Sequence, residues 1–404
     1  MKINTDKKLI DEFLTRGVEN VYPTREALKK VLLSGKKLRI YQGFDPTGPY
    51  LHVGHAIGIR ALRILQKLGH EVIFLVGDYT AKIGDPDKDA TRKILSDDNI
   101  EKNMAGWKKQ AGQLIEFAGN NPVQFKRNYQ WLSKLRLNEI SDLMSRTTVQ
   151  RMLKRDLFKR RMQDKDNPLH LHELLYPILQ GYDGVAMKVD MEIGGADQIF
   201  NMLVGRDLSK AYLNKEKFVR ANKMMDAPDK HTMSKTQGNG INLSDTPENM
   251  YGKAMSYSDN AIMSGLELLT EVPIEDIEQI KAEIKNNANP MQFKKLMAYE
   301  IVKIVKGEKD AIKAQQHFEQ TVQKKELSNK VKSQKLKVKS QNIIDLLTQI
   351  KLASSKNEAR RLIQQNGIKI DGKVVSDINY QVNVTKQGVL VQRGKRQFVK
   401  VNNF

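Results

Sequence analysis

Two of the seven histidines in this chain, His52 and His55, stand three residues apart behind the turn Asp45-Pro46-Thr47-Gly48-Pro49. At that spacing their imidazoles leave one face of a first helical turn. Three chemistries fit: a metal site, hydrogen bonds to phosphate oxygens, or two exposed side chains at the start of a helix. A zinc site requires a third ligand, and none is recognisable near the pair. A helix that begins directly behind a strand points unpaired backbone N–H groups and the positive end of its dipole at the sheet edge, where anions bind. Thr47 would add a hydroxyl to such a site, and Gly54 would let a flat ring approach the backbone. Phosphate has the most support, exposed histidines come next and metal last.

The elements that must carry this pair can be read on either side of it. Residues 37–44 read as a short strand running into the turn. A helix should follow from about His52, because Val53, Ile57, Ala61, Ile64 and Leu68 share one face and Gly69 stands where a C-terminal cap belongs. Residues 71–78 form a near-continuous apolar run, as expected of a strand covered on both faces of a parallel sheet. Together they predict a β-α-β unit with a right-handed crossover and an α/β fold. The chain then reads as mostly helical up to 187–198, a strand ending in a Gly-Gly turn. Residues 243–318 carry helical patterns and predict a separate helical domain. Residues 324–339 hold seven lysines among Ser, Asn and Gln, which predicts a flexible basic linker. The last 64 residues resume an alternation of helix and strand signals.

A chain of 404 residues should form two or three domains. It has no cysteine, which excludes disulfides, thiolate nucleophiles, Cys-based zinc sites and iron–sulfur clusters, and favours a reducing compartment. The N-terminal MKINTDKKLIDEFLTRG has no apolar core of signal-peptide length, and no run approaches the roughly 20 apolar residues of a membrane span. A soluble cytoplasmic protein without a membrane partner is expected. The net charge of +21, from 68 Lys and Arg against 47 Asp and Glu, asks for a polyanionic partner, nucleic acid first. A lysine-rich proteome is the plain alternative.

Tyr41 to His55, YQGFDPTGPYLHVGH, resembles the His-x-Gly-His signature of class I aminoacyl-tRNA synthetases, in the version carried by bacterial tyrosyl-tRNA synthetases. The resemblance continues through GDYTAKIGDPDKDATR (77–92), HELLYPILQGYD (172–183), EIGGADQIFNMLVGR (192–206) and MSKTQGN (233–239), in the family's order. It implies a Rossmann-like catalytic domain that uses ATP, accompanied by Mg2+ held through the phosphates, with no tightly bound cofactor. Thr47, His52 and His55 would contact the ATP phosphates, and Gly43, Asp45 and Gly54 would line the nucleotide side. Asp197 would bind the ribose hydroxyls, with Gly195 allowing the sugar to approach. Read by itself, GGADQ is equally an ordinary tight turn.

Tyr176, Gln180 and Asp183 fall four and three residues apart and form one polar stripe on an otherwise apolar helix. From the residues alone this is either a solvated face or a pocket wall. The resemblance implies the wall: Tyr176, Gln180, Gln198 and Asp85 would hold the ammonium and carboxylate of tyrosine, and Tyr41 with Asp183 its phenol. A phenylalanine ring would leave the carboxylate without a partner. The resemblance implies the rejection known for this family, about 10⁴ to 10⁵. Discrimination at that level needs no proofreading, and no insertion large enough for an editing domain is visible.

The family's second signature, Lys-Met-Ser-Lys-Ser, is matched by Thr232, Met233, Ser234, Lys235 and Thr236. Met233, Ser234 and Lys235 would meet the ATP phosphates, while Thr232 replaces the first lysine. An uncompensated loss of that cation would cost about 1.5 to 3 kcal/mol. Lys230 or Lys82 could substitute. Residues 343–375 resemble an S4-type RNA-binding module. There a helix ending at Ala353 is followed by Ser355 as N-cap, with Glu358 completing a capping box. Lys356, Arg360 and Arg361 on that second helix would meet RNA phosphates, or else form a solvated basic face.

The expected organisation is a catalytic domain over 1–230 with a dimer-interface insertion at about 120–180, then the signature loop and a helical anticodon-binding domain over 231–320. A basic linker over 321–341 and an S4-like α+β domain over 342–404 complete it. The expected activity joins tyrosine to its tRNA in a homodimer. A tryptophanyl relative is disfavoured by Tyr41, Asp183 and the S4 module. A catalytically weak or silent paralogue that binds structured RNA is supported by Thr232 alone.

Overall fold

The structure, a computed structural model, describes residues 2–85, 95–154, 156–166, 168–225, 240–323, 332–336, 340–385, 388–394 and 397–403. The chain divides into two compact units, 1–312 and 313–404.

The first unit is built on a six-stranded sheet in the order β1-β6-β5-β2-β3-β4. The strands are β1 (Val18–Tyr22), β2 (Arg39–Phe44), β3 (Glu71–Val76), β4 (Gln124–Arg127), β5 (Met191–Gly195) and β6 (Phe218–Asn222). All neighbours run parallel except β1, which is antiparallel to β6 at the edge. β2 lies between β3 and β5, so the chain leaves β2 toward β3 and later returns on the other side as β5. That reversal opens a crevice at the carboxyl ends of β2 and β5, where ligands of such sheets bind. The expected α/β parallel sheet is therefore present.

The helix Val53–Lys67 packs on this sheet, and Gly69, at φ +91°, turns the chain into β3. Its buried face is wider than the periodic stripe suggests. Ile59, Leu62 and Leu65 are buried as well as Val53, Ile57 and Ala61, because the helical segments of the same unit cover the side turned away from the sheet. Four of these, Pro247–Ala254, Ile262–Leu269, Ile274–Lys285 and Pro290–Lys306, agree with the helical reading of 243–318. Arginines join them to the sheet layer. Arg16 donates to the carbonyls of Leu266, Glu267, Thr270 and Val272 at 2.7–2.9 Å, and Arg60 reaches the Leu268 carbonyl at 3.1 Å. A helix C-terminus has unsatisfied carbonyls and a negative dipole end, so a buried guanidinium is well matched to it.

The second unit wraps the helices Ile343–Gln349 and Lys356–Gln364 and strands around a core that includes Leu346, Leu347, Ala359, Ile363, Val391 and Val401. Three expectations change here. The first helix ends at Gln349, four residues before Ala353, because Lys351 takes φ +59° and breaks the helical path. Ser355 does cap the second helix, accepting from the Glu358 N–H at 3.2 Å. The return bond from Glu358, however, goes to the backbone and hydroxyl of Ser354, at 2.6 and 2.5 Å. Finally, the flexible linker expected over 324–339 contains a strand, Lys332–Leu336, running parallel to Gln397–Asn403 at the sheet edge. An edge strand needs only backbone partners, and lysine is well suited to it. The other residues of that stretch lie outside the described ones. Among the described residues no helix is long and apolar enough to cross a membrane.

Candidate active site

The crevice at the switch point collects side chains from four strand ends. β2 leads into the Asp45-to-Leu51 turn, β3 into Asp78 and Thr80, β4 into Asn128 and Trp131, and β5 into Asp197 and Gln198. Asn103 donates to the Pro46 carbonyl at 2.8 Å, while Gln110 donates to the Pro49 carbonyl at 2.9 Å and accepts from the Leu51 N–H at 2.8 Å. The turn is thereby held from the neighbouring helices Asp97–Met104 and Trp107–Ala111.

His52 is the N-cap of the helix Val53–Lys67. Its backbone N–H donates to Nδ1 of His55 at 3.0 Å, and the two rings lie 3.8 Å apart. That bond decides the tautomer: Nδ1 of His55 accepts, so its proton sits on Nε2, the donor nitrogen. Thr47 is half-buried, and its N–H turns back on the Asp45 carbonyl at 2.8 Å. Residues 241–243, which follow the second signature directly, pair with 51–53: Val53 donates to Ile241 at 2.9 Å and Leu243 to Leu51 at 2.8 Å. Met233, Ser234 and Lys235, with Thr232 and Lys230, lie outside the described residues. Lys82 is described. It pairs with Asp97 at 2.5 Å and lies 5.3 Å from the Tyr129 ring centre. Among the described residues no group of three or more His, Asp or Glu could hold a metal ion.

The polar stripe of the helix Tyr176–Ala186 faces inward. Tyr176 and Asp183 are buried and Gln180 is half-buried. Tyr176 donates from its phenol to Asp45 at 2.8 Å, and Thr80 donates to the other oxygen of the same carboxylate at 2.8 Å. Gly77 makes this possible, since a Cβ there would lie 1.9 Å from Asp45 Oδ1. Asp183, 3 % exposed, accepts from Trp131 Nε1 at 2.7 Å and Asn128 Nδ2 at 3.1 Å. Burial pushes Asp183 well above the usual carboxylate range; the two donors pull it down, and Glu192 and Asp45 add to the rise. Tyr41 is also buried, 3.5 Å from the Gln180 carbonyl, and burial followed by the charges of Glu192 and Asp183 raises its phenol.

At the end of β5 the amide of Gln198 donates to Asp85 at 2.6 Å and Asp197 at 3.0 Å. A Cβ on Gly195 would lie 2.3 Å from Asp197 Oδ1, so glycine leaves that carboxylate room to fold over the turn. Asn201 joins Gln180 and Gln198, donating to both side-chain oxygens at 3.0 Å. Gly43 and Gly54, in β2 and the first turn of the helix, complete the expected set. The crevice therefore combines carboxylates with a helix N-terminus that carries two histidines, which suits a ligand carrying both an ammonium and phosphates.

Several residues here escaped the sequence reading: Thr80, Asn128, Trp131, Glu192, Asn201 and Lys217. Asn128 and Trp131 follow a strand directly, as Asp45 and Asp197 do, and that position was the available signal. Far from this crevice in sequence, Lys356, Arg360 and Arg361 are exposed on the helix Lys356–Gln364. Lys356 pairs with Asp345 at 2.8 Å, and Arg360 donates to Asn357 at 3.2 Å.

Comparison with known proteins agrees with this geometry. The model of tRNA synthetases class I (W and Y) matches residues 33–323, and that of the tyrosine–tRNA ligase SYY-like C-terminal domain matches 323–401. The tyrosine–tRNA ligase of Thermotoga maritima is 39 % identical over 394 residues, covering 97 % of this chain and 96 % of that one. The tyrosine–tRNA ligase of Moorella thermoacetica is 38 % identical over 397 residues, covering 97 % and 95 %. Among solved structures, a C-terminally truncated mitochondrial tyrosyl-tRNA synthetase of Aspergillus nidulans shares the fold at TM-score 0.64 and 24 % identity, over 77 % of this chain and 93 % of that one. The chain belongs to the tyrosine–tRNA ligases, within the class I tRNA synthetases.

Proposed function

We propose that the crevice is where this tyrosine–tRNA ligase activates tyrosine with ATP and then charges its tRNA. The tyrosine carboxylate attacks the ATP α-phosphorus and displaces pyrophosphate. The 3′-terminal adenosine of tRNA then takes the tyrosyl group from the adenylate and releases AMP. The chain's task is to orient both substrates and stabilise charge growing on the departing pyrophosphate. His55 donates from Nε2, His52 and Thr47 add further groups, and the helix N-terminus supplies its dipole. Magnesium, held through the ATP phosphates rather than by a protein cage, would supply charge neutralisation there. Gly43, Asp45 and Gly54 line the nucleotide, and Asp197 accepts from the ribose. Asp85, Tyr176, Gln180 and Gln198 bind the tyrosine ammonium and carboxylate, and Tyr41 and Asp183 its phenol. In the second signature Met233, Ser234 and Lys235 meet the phosphates. Thr232 shifts more of that burden to the histidines, and an unchanged exchange rate in Thr232→Lys would remove this idea.

The observation that carries the reading is Asp183, a buried carboxylate pinned by Trp131 and Asn128 beside Tyr41. The test is amino-acid-dependent pyrophosphate exchange across the standard amino acids, then charging of total tRNA. Exchange with tyrosine followed by charging is expected; absence of exchange with tyrosine refutes the assignment.

The proposed organisation keeps a catalytic domain over 1–230, a signature loop and anticodon-binding region over 231–320, a basic segment over 321–341 and an RNA-binding domain over 342–404. Lys356, Arg360 and Arg361 contact tRNA phosphates. The chain acts as a homodimer through the insertion at about 120–180, supported by exposed apolar side chains at Tyr129, Leu137, Met144, Val149, Met162 and Leu171. A cytoplasmic location rests on the family and on the lack of cysteine. Sedimentation as a monomer at micromolar concentration would remove the dimer.

A further inference from the structure

Behind the pocket wall lies an ion pair that the reaction as described does not use. The side chain of Lys217, directly before β6, is 0 % exposed, and its ammonium meets the Glu192 carboxylate of β5, 3 % exposed. Burying two charges costs so much desolvation that apolar replacements of such pairs are often at least as stable. Stability therefore does not explain the pair. The fold also makes room for it. A Cβ on Gly205 would lie 2.5 Å from Lys217 Nζ, and one on Gly184 3.4 Å, so the helices Tyr176–Ala186 and Ile199–Leu213 are cleared where the ammonium passes.

The second oxygen of Glu192 accepts from Gln180 Nε2 at 3.1 Å. An ionised carboxylate only accepts, so the amide nitrogen of Gln180 must face it and the amide oxygen must face away. That oxygen accepts from Asn201 Nδ2 at 3.0 Å. The far end follows the same logic. Asp85 and Asp197 attract the nitrogen of Gln198, leaving its oxygen to accept from the same Asn201 Nδ2 at 3.0 Å. In the chain from Lys217 through Glu192, Gln180, Asn201 and Gln198 to Asp85, none of the three amides can reverse without setting donor against donor or acceptor against acceptor. Each glutamine oxygen accepts one hydrogen from Asn201 and retains a second lone pair.

We infer that Lys217 and Glu192 are positioning residues for tyrosine. The buried ammonium holds Glu192 as an acceptor. This fixes Gln180 with its oxygen toward the substrate, and through Asn201 it supports the same orientation of Gln198. Two amide oxygens, rather than two amide nitrogens, then meet the α-ammonium. A neutral partner at position 192 could donate as well as accept and would release Gln180 to turn. The inference rests on the proposed role of Gln180 and Gln198 as tyrosine ligands.

The test is the full-length double variant Lys217→Met, Glu192→Gln, which removes both charges and lifts the constraint on Gln180. In pyrophosphate exchange its KM for tyrosine should rise about tenfold or more, the scale of one hydrogen bond to a charged group. Its KM for ATP and its melting temperature should stay near the parent's. In Asn201→Asp, which leaves Glu192 and its contact with Tyr41 in place, inhibition by 3-(4-hydroxyphenyl)propanoate, which lacks the ammonium, should be unchanged, whereas general damage to the pocket would weaken it too. A folded double variant with the parent's KM for tyrosine overturns the inference. Should the double variant fail to fold, Asn201→Asp reverses the polarity from the other end without touching the ion pair, and a parental KM for tyrosine there is equally decisive. Gln180→Leu separates the two readings. If it leaves the tyrosine KM unchanged, Gln180 is not a ligand; if it raises the KM while the double variant does not, only the positioning role falls.

Discussion

The crevice and the C-terminal unit use charge in opposite ways. In the crevice Asp183, Glu192 and Lys217 are almost wholly out of water, and each is held by directed partners. In the C-terminal unit Lys356, Arg360 and Arg361 stay in solvent around an apolar core. A buried polar group left unpaired pays its full desolvation cost, so a buried set can distinguish one hydroxyl or one ammonium. Exposed cations attract a polyanion with little regard for detail and weaken with salt. Under the proposed function, the small substrate is selected where polar groups are dry, and the large one is gathered where they are wet.

Asp183 gives the largest expected effect. Asp183→Asn should reduce discrimination between tyrosine and phenylalanine, measured as the ratio of kcat/KM in exchange, from the family's about 10⁴ to 10⁵ to about 10² or less. Discrimination that survives would break the link between dryness and selection. Next, His55→Ala should lower kcat for activation about 10²-fold to 10³-fold and leave the KM for tyrosine unchanged, as loss of one transition-state donor does.

His70 extends the comparison to pH. It is fully buried, its Nδ1 accepts from the Leu38 N–H at 3.2 Å, and burial lowers its pKa to about 4 from 6.5. The unfolded chain takes up this proton first, so stability held above pH 6.5 is lost as pH falls toward about 4, by about 3 kcal/mol in all. Denaturant midpoints across that window should slope for the parent and flatten for His70→Gln. Glu358, half-buried in the C-terminal unit, is the counterpart. Hydrogen bonds from Ser354 lower it to about 2, so its contribution is present above about pH 4.5 and is lost as pH falls through about 2.

The smallest effect belongs to the wet side. The triple change Lys356→Ala, Arg360→Ala, Arg361→Ala should raise the KM for tRNA about tenfold. It should also reduce the salt slope of binding by about 2 to 3, with pyrophosphate exchange untouched. A loss of exchange would show that these residues do more than gather the tRNA.

Much of the site could be read in advance because it is local. His52, His55 and Thr47 come from one strand-turn-helix, and Tyr176, Gln180 and Asp183 share one helical face, so period and turn chemistry bring them together. Asn128 and Trp131 could not be assigned to Asp183 in that way, since their meeting depends on β4 lying beside β3 at the sheet edge. Glu192 meets Tyr41 because β5 pairs in parallel with β2, and Lys217 reaches both through a gap left by two glycines on different helices. The C-terminal capping residues showed a similar limit. Ser355 and Glu358 were identified, yet Glu358 chose Ser354, a choice between adjacent donors that spacing does not resolve.

By itself the sequence determined the α/β plan, the helix N-terminus behind the first signature, the polar stripe and the basic C-terminal helix. All of these depend on contacts within a few residues, which hydrophobic period, turn residues and caps dictate. Only the tertiary structure decided that the stripe faces inward, that Asp183 is dry and doubly held, and that an ion pair sets the direction of two glutamines. Those outcomes depend on strand order and helix packing, where residues far apart in the chain remove one another from water.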